Sequence, residues 1–169
     1  MRKIGLFAGV FDPIHLGHTG FIKQAIAADA LDKVYVLVEK KPKYKTCLAN
    51  YEHRRRMAGL AIKDIPQAEL YEAPGEYFPI TSALPGIKKT EPDAEIFLLV
   101  GDDVAGHIGS WHDPTGLIRT ARLIIAPRGK TGPYGEVSSL KIRNKLTAGD
   151  KNVELDPAVL RYCLKHGLY

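Results

Sequence analysis

The stretch that most constrains how this chain can fold is Leu6-Phe7-Ala8-Gly9-Val10-Phe11-Asp12-Pro13-Ile14-His15-Leu16-Gly17-His18. Lys3 to Ala8 is the apolar run of a buried parallel strand, and Thr19 to Ala28 sets Phe21, Ile22, Ala25, Ile26 and Ala28 at a spacing nearer 3.6 than 2. The segment between them has turn chemistry. Gly9 permits a backbone that a side chain would block, Asp12-Pro13 favours a reversal, and Gly17 opens the helix without a Cβ in the way. A helix start directly after a strand favours an anion, because its first N–H groups lack partners and the dipole is positive there. His15 and His18, three positions apart, share one face of a first turn, and imidazoles donate to phosphoryl oxygens. The stretch therefore predicts a phosphate site at this turn, with Gly17 letting the ligand approach the backbone and His15 and His18 converging on one anion.

Asp32 to Glu39 contains Val34, Tyr35, Val36, Leu37 and Val38, a second buried strand. Strand, helix and strand within Lys3–Glu39 make a βαβ unit, whose crossover is right-handed. The fold class that follows is α/β, a Rossmann-like parallel sheet with helices on both faces, its ligands beyond the carboxyl ends of the strands. Ala68 to Ala73 reads as a short strand ended by Pro74-Gly75, Glu95 to Val100 as a central strand, and Arg122 to Ala126 as the last. Helices are expected over Tyr51–Lys63 with Asn50 as N-cap, over Thr81–Lys89 with a disturbance at Pro85-Gly86, and after Asp156-Pro157. One domain over residues 1–169 accommodates all of these.

Further candidates stand at the same sheet edge. Lys40-Lys41-Pro42-Lys43-Tyr44-Lys45 follows the second strand and reads either as a solvated loop or as phosphate-holding charge. Of Arg54, Arg55 and Arg56 only one can face a site, and Arg54 is the candidate. Ser138-Ser139-Leu140-Lys141-Ile142-Arg143 puts hydroxyls at a helix N-terminus and a guanidinium one turn in, which suits phosphate and suits a helix cap with a surface arginine. Asp103 can be a ligand carboxylate, an N-cap or both, and Trp111, the sole tryptophan, is a stacking platform with core as the alternative.

Gly9-Val10-Phe11-Asp12-Pro13-Ile14-His15-Leu16-Gly17-His18 resembles the HxGH signature of the nucleotidyltransferase superfamily with its preceding Gly-x-Phe-Asp-Pro. Val10 stands where members usually carry Thr or Ser. Ser138 to Arg143 is similar to the superfamily's Ser-Ser-Thr-x-Ile-Arg, with Leu140 in place of Thr. The rest is most similar to the bacterial nicotinate-nucleotide adenylyltransferases: Pro42 to Lys45 with Tyr44 for His, His53-Arg54-x-x-Met57-x-x-Leu60-Ala61, Gly101-Asp102-Asp103, Trp111 followed by His112 where Tyr is common, and the tail from Pro157 to Gly167-Leu168-Tyr169. Tyr77 and Thr81 match a Tyr-Thr-x-Asp-Thr motif near the pyridine site, with Ile80 replacing its Asp. The resemblance implies catalytic His15 and His18; ATP contacts from Gly9, Val10, Phe11, Gly17, Lys45, Asp103, Ser138, Ser139 and Arg143; and acceptor contacts from Arg54, Tyr77, Thr81, Trp111 and Arg128. It implies Mg2+ with ATP and a mononucleotide acceptor, nicotinate mononucleotide favoured.

The acceptor phosphate is already an anion near neutrality, so the chemistry needs alignment and charge stabilisation but no general base. Adenylyl or cytidylyl transfer to another phosphate such as phosphopantetheine, or a nucleotide- or RNA-binding module without catalysis, are the rival expectations. A net charge of +5 fits an anionic ligand and equally a basic surface. No nucleic-acid partner is expected, and no membrane partner either, since no run approaches the ~20 apolar residues of a span. Cys47 and Cys163 lack metal-ligand spacing, which suggests a reduced cytoplasmic protein. The oligomeric state is not readable.

Overall fold

The computed structural model describes residues 1–43, 45–106, 108, 116, 121–126 and 136–169. Five parallel strands form one sheet: β1 (Lys3–Gly9), β2 (Lys33–Val38), β3 (Ala68–Leu70), β4 (Glu95–Gly101) and β5 (Arg122–Ala126), in the order β3-β2-β1-β4-β5. β1 is central, with Leu6 opposite Tyr35 on one side and Leu98 on the other. The helices are α1 (Leu16–Asp29), α2 (Tyr51–Ile62), α3 (Pro79–Thr90), the single turn α4 (Asp102–Ala105), α5 (Ser139–Thr147) and α6 (Pro157–His166).

Alternation along the strands feeds two cores, as a doubly covered sheet requires. Phe7, Val36 and Leu99 meet Ile22 of α1, Met57 of α2, Ile142 of α5 and Val159 of α6 on one face. Leu6, Leu37 and Leu98 meet Ala83, Leu84 and Ile87 of α3 on the other. The expected α/β architecture with helices on both faces is what the chain adopts.

β3 and α3 depart from expectation by more than one residue. β3 stops at Leu70 because it pairs only with β2, over Val34 to Val36. α3 begins two residues early, with Pro79 at its first position and Phe78 before it at φ 51°. It also runs unbroken through Pro85-Gly86, both of which lie on the exposed side of the helix. Gly86 has a packing reason, since a Cβ there would lie 2.5 Å from the Tyr71 hydroxyl. Among the described residues no helix is long and apolar enough to cross a membrane. Cys47 and Cys163 are free thiols.

Candidate active site

β1 delivers the chain to the carboxyl edge of the sheet, where residues 9–15 loop into α1. Phe11 is buried at φ 53°, its ring edge-on to Phe7 at 5.4 Å and to His18 at 5.1 Å. A Cβ on Gly9 would stand 2.8 Å from that ring, so glycine is what lets Phe11 tuck beneath the loop.

His15 is the N-cap of α1, and the two histidines cap the helix reciprocally. His15 Nδ1 accepts the Gly17 N–H at 3.1 Å, and His18 Nδ1 accepts the His15 N–H at 3.1 Å. The rings stack with centroids 3.7 Å apart. A nitrogen that accepts carries no proton, so both imidazoles are held as the neutral Nε2–H tautomer. Burial reinforces this: it lowers His15, 7% exposed, to about 4, and drives His18 well below its usual range, with His15 and Lys45 adding to the effect. At neutral pH the pair offers two N–H donors without charge.

The second motif docks directly on this loop. Ser138 caps α5, its Oγ accepting the Lys141 N–H at 3.2 Å. Ser139 Oγ donates to the Pro13 carbonyl at 2.9 Å, and Arg143 Nη1 donates to the Asp12 carbonyl at 2.7 Å. Arg143 Nε is buried without a partner. The serines, expected on phosphate, thus have loop and helix-cap roles, and Arg143 keeps donors beyond the one it gives to Asp12.

Arg54, expected at the acceptor, is 1% exposed and lies under the loop. Its guanidinium donates to the carbonyls of Val10 (2.7 Å), Glu39 (2.8 Å), Ala49 (3.2 Å) and Lys40 (3.3 Å). The fork ties together the segments after β1 and β2 and the start of α2. Arg54 also lines an open cleft of about 450 Å3, together with Lys40, Lys41, Lys45, Asn50 and Tyr51. Lys40 pairs with Glu72 and Lys41 with Glu76, while Lys45 acts electrostatically on His18 and Glu39. Burial raises Glu39, and Lys45 and Arg54 oppose that rise.

Two residues that sequence reasoning left without a role complete the loop. The Asp12 carboxylate, 3% exposed, accepts the Leu48 N–H at 2.8 Å, the Ala49 N–H at 3.1 Å and the Tyr169 hydroxyl at 2.6 Å. Burial, then the Asp12 carboxylate, pushes the Tyr169 hydroxyl far above the phenol range, so it is a permanent donor. Only the turn-forming Asp12-Pro13 hinted at this in the sequence.

Tyr77 is 45% exposed, in a segment tied to the loop after β2 by the Lys41 N–H on the Glu76 carbonyl (3.1 Å), with Lys43 Nζ 6.0 Å from its ring. Thr81 lies in the first turn of α3 and is partly buried, whereas Ile80 is 8% exposed and packs into the second core. Asp103 falls in α4, directly past β4 as expected. Its side chain, Tyr44, Trp111, His112 and Arg128 lie outside the described residues. Among the described residues no group of three or more His, Cys, Asp or Glu side chains could hold a metal ion, and both Asp12 oxygens are already filled by donors. The described residues do not build a resident Mg2+ cage; a cation held by triphosphate oxygens is consistent with this donor set.

A parallel sheet carrying a glycine loop, two tautomer-locked histidines and a docked Ser-Ser-x-x-x-Arg helix at its carboxyl edge defines a nucleotidyltransferase of the HxGH kind. The cytidylyltransferase-like family model matches residues 6–145. Relatives described as probable nicotinate-nucleotide adenylyltransferases include one from Bacillus pumilus, 34% identical with 100% of this chain and 99% of the relative covered, and one from Thermus thermophilus, 31% identical with 99% of each covered. The chain belongs to the cytidylyltransferase-like family and, within it, to the nicotinate-nucleotide adenylyltransferases. The nicotinic acid mononucleotide adenylyltransferase of Plasmodium falciparum, solved in complex with NaAD, has the same fold at a TM-score of 0.79 and 17% identity, with 100% and 98% of the two chains covered. A putative nicotinate-nucleotide adenylyltransferase from Vibrio parahaemolyticus superposes at 0.77 and 23% identity, with 100% and 96% covered.

Proposed function

We propose that this chain joins ATP, carried as its Mg2+ complex, to nicotinate mononucleotide, releasing pyrophosphate and the dinucleotide, a step of NAD biosynthesis in the cytoplasm. The 5′-phosphate oxygen of the mononucleotide attacks the α-phosphorus, a P–O bond forms, and the bond to the β-phosphate bridging oxygen breaks. The observation that carries this reading is the His15–His18 pair, with both Nδ1 atoms occupied and both Nε2–H groups left to donate. Such donors favour the charge that grows on phosphoryl oxygens in the transition state, and neutral imidazoles do so without the desolvation cost of a buried cation. Arg143, whose Nε lacks a partner, and Lys45 supply the positive charge. In this reading Asp103 takes the ribose, Trp111 stacks on the pyridine, and Tyr77, Thr81 and Arg128 border the acceptor. The names of the relatives support the acceptor choice.

The test is pyrophosphate release from ATP and Mg2+ with nicotinate mononucleotide, nicotinamide mononucleotide, phosphopantetheine or no acceptor. Nicotinate mononucleotide is expected to drive release, and His18→Ala to lower kcat by about 100- to 1000-fold, the usual effect of removing one oxyanion donor. Release with only another acceptor would overturn the substrate assignment, and none with any acceptor would overturn catalysis.

A further inference from the structure

Asp12 is a buried carboxylate that has no substrate contact in the proposed reaction and, among the described residues, no ion pair with a cationic side chain. Its two oxygens accept three donors, from Leu48, Ala49 and Tyr169, and its own carbonyl accepts Arg143 Nη1. The residue therefore joins three parts of the phosphate site. Through Leu48 and Ala49 it fixes the segment between Lys45 and the N-cap Asn50. Through its carbonyl it sets where Arg143 stands, and along the chain it leads directly into Pro13, which holds Ser139, and His15, which caps α1.

The donor that closes this junction comes from the far end of the fold. Past α6 the chain turns at Gly167, at φ 58°, and the Leu168 N–H returns to the Cys163 carbonyl at 3.0 Å. Tyr169 then has a φ of 71°, uncommon for a tyrosine. The side chain is held by packing against the first core and by its hydroxyl on Asp12 Oδ1. A helix turn, a left-handed residue and a 2.6 Å hydrogen bond all serve to bring one phenol to one carboxylate.

We propose that Tyr169 is a positioning residue for phosphoryl transfer, acting through Asp12 to hold the loop of residues 9–15, Arg143 and the Lys45 segment in register. The inference rests on the adenylyltransferase reading for its kinetic arm. Without the hydroxyl, Asp12 keeps two backbone donors and the loop stays folded, but the carboxylate can tilt. Displacing reacting groups by about 1 Å lowers rates by as much as about 100-fold without altering the affinity for a remote part of the acceptor.

The experiment is Tyr169→Phe, Asp12→Asn and the double variant, measured for kcat and acceptor KM with nicotinate mononucleotide, with the 15N–1H imidazole spectra of His15 and His18 recorded on the protein without substrate. Tyr169→Phe is expected to lower kcat by about 10- to 100-fold with acceptor KM within about twofold, and the double variant to be no slower than Asp12→Asn alone, as two members of one unit behave. The imidazole resonances are expected to shift in Tyr169→Phe, a readout that stands even if the wild type turned over a different acceptor. Wild-type kcat and unmoved imidazole signals in Tyr169→Phe, or losses that multiply in the double variant, would overturn the proposal. Tyr169→Phe retains the ring and its packing, so it answers the question even if Asp12→Asn does not fold.

Discussion

Replacing Arg54 by methionine keeps an unbranched chain of similar length in the core and removes only the guanidinium. Four carbonyls then lose their donor: Val10, Glu39, Ala49 and Lys40. An orphaned buried acceptor costs about 1–3 kcal/mol. Val10, Glu39 and Lys40 belong to partly exposed residues, where water replaces part of the loss, whereas Ala49 is buried. Removing a buried cation also returns its desolvation cost, which offsets a further share. The net destabilisation is about 3 kcal/mol, and a chain of this length loses about 2–4 °C of Tm per kcal/mol, so calorimetry is expected to record a fall of about 6–12 °C. Arg54→Lys is expected to recover less than half of it, because an ammonium cannot span carbonyls placed around a planar fork. A Tm within about 2 °C of wild type for the methionine variant would refute the reasoning, and full recovery by lysine would show that charge, not the fork, holds the loop.

The histidine pair makes stability pH-dependent. His15 falls from 6.5 unfolded to about 4 folded, so between those values the unfolded chain binds the extra proton and stability is lost as pH falls. For His15 alone that amounts to about 2 kcal/mol from pH 7 to pH 5, so urea unfolding is expected to show a loss smaller by about that much in His15→Asn, where His18 still contributes; equal losses would sink the assignment. Gly9→Ala forces a Cβ within 2.8 Å of the Phe11 ring and is expected to cost about 1–3 kcal/mol and to lower kcat, with recovery when Phe11→Leu is added; no recovery would place the fault elsewhere. Ile80→Asp, which would restore the carboxylate of the resembled motif, instead buries an unpaired charge in the second core and is expected to lower Tm by about 6–12 °C with no gain in acceptor affinity, and a stable variant with a lower KM would contradict this.

What the sequence made legible was local. The apolar run before Gly9, the histidine spacing, Asn50 before Tyr51 and Asp156 before Pro157 each specify their element through neighbours a few residues away, and each is found where expected. Arg54 was legible as the inward arginine of its helix but not as a brace, because its partners are carbonyls, which every residue has. Asp12 and Tyr169 escaped for a related reason: they meet 157 positions apart, and no periodicity spans that distance. α3 ran past a proline because Ala83, Leu84 and Ile87 on either side of it are anchored in the second core, while Pro85 itself faces outward, and the local breaking rule takes no account of such packing.

The long reach of the loop's partners also bears on how the protein is made. Residues 9–18 leave the ribosome early, yet they are fastened by Ser139, Arg143 and Tyr169, 126 to 157 positions later. Contacts of such sequence separation form late, after the loop-closure entropy has been met. A nascent chain with β1, α1 and β2 folded would hold both histidines and still present an unbraced cradle. The cradle is thus begun by its own loop and completed only when the segments that carry Ser139, Arg143 and Tyr169 have been added.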